Sequence, residues 1–142
     1  LMALEQERTS RDYLFGRLLA VAEDMESYAL YAAGEKARDT SAARLMQRFA
    51  DRPVSTWRTI ELSLRPYIAR LRAMRPGVLH KKESLLDDIV ALFDPQEFLT
   101  DTPLSGEFLL GYHCQRQALR SRGESSDDAS DTTPTATTGE PA

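Results

Sequence analysis

Apolar residues in this chain return every third or fourth position, and they do so in several successive stretches. Leu14, Leu18, Val21, Ala22, Met25 and Ala29 keep that spacing, and Trp57, Ile60, Leu64, Ile68 and Leu71 keep it again farther on. A repeat near 3.6 residues lays such a set along one face of an α-helix, whereas a half-buried strand alternates every second residue. No stretch alternates in that way. The expected fold class is therefore all-α, a compact bundle of about five helices.

Local signals place the helices. The first is expected from about 10 to 33, opened by Thr9 and Asp12 as a capping box and stopped at Gly34. A second is expected over 40–51, capped by Asp39 or Thr40, with Leu45, Met46 and Phe49 turned inward. A third runs over 53–74 and carries Pro66 in its interior, where a missing N–H should bend it near Leu62 to Arg65. Arg75-Pro76-Gly77 reads as a turn. A fourth helix fits 84–93, with Ser84 as cap and Leu85, Leu86, Ile89, Val90 and Phe93 as core. Asp94 to Thr102 is a loop or short turn holding Phe98, and a fifth helix fits 104–120 with Phe108, Leu109, Tyr112 and Leu119 along it.

Beyond Arg122 the composition changes to Ser, Thr, Asp, Pro and Gly, with almost nothing apolar to offset the entropy of folding. The expected organisation is one helical domain over 1–122 and a disordered acidic tail over 123–142. About 120 residues can bury a core without staples. Cys114 is the single cysteine, which excludes an internal disulfide framework and suits a reducing compartment. There is no apolar run near the roughly 20 residues that span a bilayer, and no signal-peptide pattern between Leu1 and Thr9. A cytoplasmic protein with no membrane partner is the expectation.

Residues able to do chemistry are sparse. His80, His113 and Cys114 are the only imidazoles and thiol. His113 and Cys114 are adjacent on a helix and so point about 100° apart, an awkward pair for one metal. Both are expected half-buried and inert. Asp87 and Asp88 diverge for the same reason and suit a solvated face or partners for Lys81 and Lys82. No phosphate-cradling or nucleophile-elbow motif occurs, and Gly106 and Gly111 suit close helix packing. The chain is expected to be no enzyme, with no cofactor and no metal.

The charge distribution is more informative. The net charge of −4 hides a segment, 38–82, that holds 11 basic residues against Asp39, Asp51 and Glu61. Arginine dominates it, and the guanidinium fork donates two parallel hydrogen bonds to a phosphate. Arg44, Arg48 and Arg52 are four apart. Arg58, Arg65 and Arg72 are seven apart, which returns to one helical face with about 20° of drift per repeat. Arg70, Arg75, Lys81 and Lys82 extend the charge into the next turn. Like charges at four-residue spacing repel, and an external polyanion compensates them. These ten residues form the candidate nucleic-acid site. The opposing reading pairs the arginines with the protein's own acids, notably Glu23, Asp24, Glu26, Asp87 and Asp88. Trp57 and Tyr67 share the helix, and Trp57 belongs to its apolar stripe. Binding is therefore expected to follow the backbone of the nucleic acid and to ignore sequence.

Three blocks also carry a family resemblance. They are Arg11-Asp12-Tyr13-Leu14-Phe15-Gly16-Arg17-Leu18-Leu19-Ala20; Arg38-Asp39-Thr40-Ser41-Ala42 with Met46-Gln47-Arg48-Phe49-Ala50 and Arg52-Pro53; and Leu104-Ser105-Gly106-Glu107-Phe108-Leu109-Leu110-Gly111-Tyr112-His113-Cys114-Gln115-Arg116-Gln117. Together they resemble the C-terminal region of the large subunit of type I-C CRISPR Cascade. In that family an internal start also yields this region as a separate helical small subunit, and a chain beginning just before Met2 suits that form. The resemblance implies a place along the crRNA-bound complex, against the backbone and large subunits and in more than one copy. It further implies help in holding the R-loop on target DNA, chiefly through the displaced non-target strand. A pure scaffold, whose arginines meet neighbouring subunits and not DNA, is the competing function.

Overall fold

A computed structural model describes residues 3–35 and 39–122. The tail expected over 123–142 lies outside the described residues, as does Arg38. The described chain forms α1 (Arg11–Ala32), α2 (Ser41–Arg44), α3 (Met46–Asp51), α4 (Pro53–Met74), α5 (Pro76–Ala91), a 3-10 turn (Glu97–Leu99) and α6 (Glu107–Arg122). No strand occurs among the described residues. No helix among them is long and apolar enough to cross a membrane.

The first helix is the axle of the fold. Its residues from Tyr13 to Ala22 are all buried, so it is enclosed on every side and not only along one stripe. Helices α2, α4, α5 and α6 pack around it. Its closest neighbour is α6, and two glycines make that approach possible. A Cβ on Gly16 would collide with the Phe108 carbonyl, and one on Gly111 with the Tyr13 carbonyl. The expectation of close packing therefore holds for Gly111. It fails for Gly106, which has open space where a side chain would go.

All five phenylalanines converge on one cluster. Phe15 of α1 lies 5.8 Å from Phe49, 4.8 Å from Phe93 and 5.7 Å from Phe98 between ring centroids. Phe49 in turn contacts Phe108 at 5.9 Å. Edge-on and offset rings of this kind add to the area they bury. The cluster joins α1, α3, the end of α5, the 3-10 turn and α6.

Several boundaries differ from expectation. Ser10, not Thr9, precedes α1, and its side chain makes no capping bond. Asp12 instead accepts from the Ser105 N–H at 2.7 Å, while Arg11 donates to the Thr100 and Thr102 carbonyls at 2.8 and 2.7 Å. The first turn of α1 thus straps down the segment leading to α6. The stop at Gly34 is as expected. Its φ of 75° suits glycine, and the Gly34 and Glu35 N–H groups donate to the Tyr31 and Leu30 carbonyls, both at 2.9 Å. Leu45 interrupts the helix expected over 40–51 and splits it into α2 and α3.

The Pro76-Gly77 turn is replaced by a helix start. Arg75 takes an extended φ of −141°, and Pro76 occupies the first helical position, where its missing N–H costs nothing. α5 consequently begins about two turns before Ser84. Val90, expected in the core, is 38% exposed. Helix α4 runs through Pro66 as one element, and Pro66 itself is exposed.

Candidate nucleic-acid interface

The interface expected from the sequence begins at α2. Thr40 caps this helix by accepting from the Ala43 N–H at 3.1 Å. Arg44 emerges in its last turn, where its guanidinium donates to the Asp39 carbonyl at 2.8 Å and the Ser41 hydroxyl at 3.1 Å. One helical turn on, Arg48 is exposed on α3. Phe49 beside it is fully buried, so the core sets which way α3 faces. Arg44 and Arg48 line one shallow groove with Gln47, Asp51 and Pro103.

Arg52 is exposed at the extended junction before α4, with φ of −140°. The N-terminus of α4 is held from a distance. Asp101 accepts from the Val54 N–H at 2.9 Å, the Ser55 N–H at 3.4 Å and the Ser55 hydroxyl. Burial opposes the charge on Asp101. The bonds from Ser55 and Val54, with the nearby Arg52 charge, outweigh it and hold the carboxyl below its ordinary value.

Along α4 the stripe behaves as its spacing predicts. Trp57, Ile60, Leu64 and Leu71 are buried, Ile68 is half-buried, and Arg58, Arg65 and Arg72 are exposed. At 1.5 Å of rise per residue, these three arginines leave the helix roughly 10 Å apart along its axis. Arg44, Arg48, Arg52, Arg58 and Arg65 are all exposed, and none has a carboxylate within 4.0 Å among the described residues. Arg72 meets Glu83 at 3.5 Å with both side chains largely in solvent, a pair of little energetic weight.

The remaining four expected residues are not part of such a free set. Lys82 is 5% exposed, its ammonium set against Asp24 and 5.1 Å from the Tyr28 ring. That corrects its assignment to a surface track: a buried, neutralised amine cannot meet a phosphate. Arg70 is likewise engaged, 3.1 Å from Glu35 and above the Tyr67 ring at 5.8 Å. Arg75 is half-buried and Lys81 exposed, and both have partners within the protein.

Of the acids suggested as internal partners, Asp24 meets Lys82, and Glu23 and Glu26 are committed elsewhere. Glu23 accepts from the Tyr112 hydroxyl at 2.7 Å and lies 3.2 Å from Arg116. Burial, reinforced by Glu23, pushes the Tyr112 phenol well above its usual range. Glu26 accepts from the Ser41 N–H at 2.9 Å. Asp87 and Asp88 are exposed. His113 is exposed and Cys114 buried, so the expectation that both are half-buried fails in opposite directions. No group of three or more His, Cys, Asp or Glu is placed to hold a metal among the described residues.

Two features escaped the sequence reading. Arg116 and Arg120 line a cleft with Glu23, Asp24 and Thr40, at the junction of α1, α2 and α6. Their four-residue spacing on α6 was the available signal. Arg17 is buried in the α1–α6 seam, donating from Nε to Gln115 at 2.7 Å. Burial lowers the affinity of its guanidinium for the proton. Nothing in its spacing marks it as different from the exposed arginines.

No curated protein matches the chain. A family model described as CRISPR-associated protein (Cas_Csd1) matches residues 1–120. That match covers nearly all of the helical region and all three of the blocks on which the resemblance rested. The chain therefore belongs to the CRISPR-associated Cas_Csd1 family.

Proposed function

We propose that the chain is a non-catalytic small subunit of the type I-C Cascade surveillance complex. In this role it binds the nucleic-acid backbone without sequence preference and stabilises the R-loop by holding the displaced non-target strand. Its partners are the backbone and large subunits, the crRNA, the target DNA and further copies of itself. One observation carries the reading. Arg44, Arg48, Arg52, Arg58 and Arg65 are exposed, and none forms an ion pair within 4.0 Å among the described residues. Membership of a CRISPR-associated family gives those cations a nucleic-acid context.

The energetics favour a modest contact of this kind. An R-loop exchanges a DNA duplex for a heteroduplex of similar stability, so protein contacts to the freed strand tip the balance. Exposed guanidinium groups supply that bias through phosphate contact and counterion release. Replacing Arg44, Arg48, Arg58 and Arg65 with Ala tests it in the assembled complex. The four are exposed, so helical content and incorporation should match those of the wild type, while capture of target DNA falls at least tenfold, as loss of about four phosphate contacts implies. Unchanged capture by a complex containing the variant would remove these residues from the site and favour the scaffold reading.

A further inference from the structure

We infer that the α2–α4 surface reads the phosphodiester chain alone, so that a strand stripped of its bases binds it as well as a natural one. The inference rests on the proposed nucleic-acid role and concerns what part of the ligand is recognised. Bases are recognised by stacking on exposed rings or by hydrogen bonds to their edges. The segment from Ser41 to Met74 contains three aromatic residues, and none stands free beside the arginines. Phe49 is fully buried and Trp57 is 4% exposed, both within the core. Tyr67 is half-buried, with the Arg70 guanidinium over its ring.

The serine and threonine hydroxyls of α4 spend their protons within the protein. Ser55 donates to Asp101, Thr56 to the Arg48 carbonyl at 3.2 Å, Thr59 to the Ser55 carbonyl at 3.5 Å and Ser63 to the Thr59 carbonyl at 3.1 Å. Gln47, in the groove between Arg44 and Arg48, is the one side-chain amide in this segment. Among the described residues, Arg48, Arg52, Arg58 and Arg65 have no ion pair within 4.0 Å that fixes the plane of the guanidinium as a stacking platform. What the surface offers a ligand is exposed positive charge, and phosphate is the group that answers it.

The test compares a mixed-sequence DNA strand with a wholly abasic strand of equal length, by fluorescence anisotropy on the full chain over a salt series. Dissociation constants within about threefold of each other, and parallel salt dependence, are expected when phosphate alone is bound. If the abasic strand binds more than about tenfold more weakly, the loss of even one stacked base would explain it, and base-blind recognition is wrong while nucleic-acid binding stands. If neither strand binds at low salt, both the inference and the proposed function fall.

Discussion

Gly16 of α1 and Gly111 of α6 set how closely these two helices approach. Each sits where the other helix's backbone passes, so the α1–α6 seam closes to a distance that a methyl group forbids. Gly111→Ala should therefore destabilise the protein by about 2 kcal/mol, the usual cost of overpacking a tight site. Gly106→Ala, with open space around it, should stay within about 0.5 kcal/mol of the wild type. Urea unfolding followed by circular dichroism checks both. Equal midpoints for the two variants would show that the seam is looser than described. The same seam holds Arg17 and Gln115. A buried guanidinium bonded to a neutral amide is invisible in a sequence, because only tertiary packing distinguishes it from an arginine in solvent.

Periodicity made the long helices legible at the scale of the element. α1 and α4 lie where their apolar repeats put them, within a residue or two. The failures are at punctuation. Pro76-Gly77 looks like a turn, yet proline at a first helical position continues the chain into α5 without losing a bond. Leu45 interrupts a segment whose residues all favour helix, and it does so where Phe49 turns into the aromatic cluster. The capping of α4 by Asp101 is long-range, and no local motif announces it.

That cap gives α4 an acid dependence whose sign follows from the carboxyl. Its folded value lies below the ordinary 3.8, so the charged form is favoured by folding. The contribution is complete above that ordinary value and is lost as pH falls through it and through the lower folded value. Asp101→Asn keeps an accepting oxygen but removes the charge at the helix N-terminus, so it should cost about 0.5 kcal/mol at neutral pH, and this deficit should shrink in acid. Urea midpoints measured at neutral pH and in acid would show the two proteins converging. A constant gap would mean that the Asp101 charge contributes nothing.

At the scale of the described molecule, the charged side chains that enter the core meet partners there: Arg17 meets Gln115, Glu26 the Ser41 N–H and Lys82 Asp24. The acids of α1 are engaged by Lys82, Arg116, Tyr112 and the start of α2, while Arg44, Arg48, Arg52, Arg58 and Arg65 face solvent. The spacing in the sequence identified that exposed set. It also took in Lys82 and Arg70, because the partners that neutralise them, Asp24 and Glu35, come near only once α1 is packed against its neighbours. Family membership was legible in the three blocks that carry the resemblance, which include both glycines of the seam.

If these exposed guanidinium groups engage phosphates, the affinity of the purified chain for single-stranded DNA across a salt series reports it most directly. With about four phosphates neutralised, the logarithm of the binding constant should fall against the logarithm of salt with a slope near −3. A slope close to zero, or no binding at the lowest salt, would contradict it.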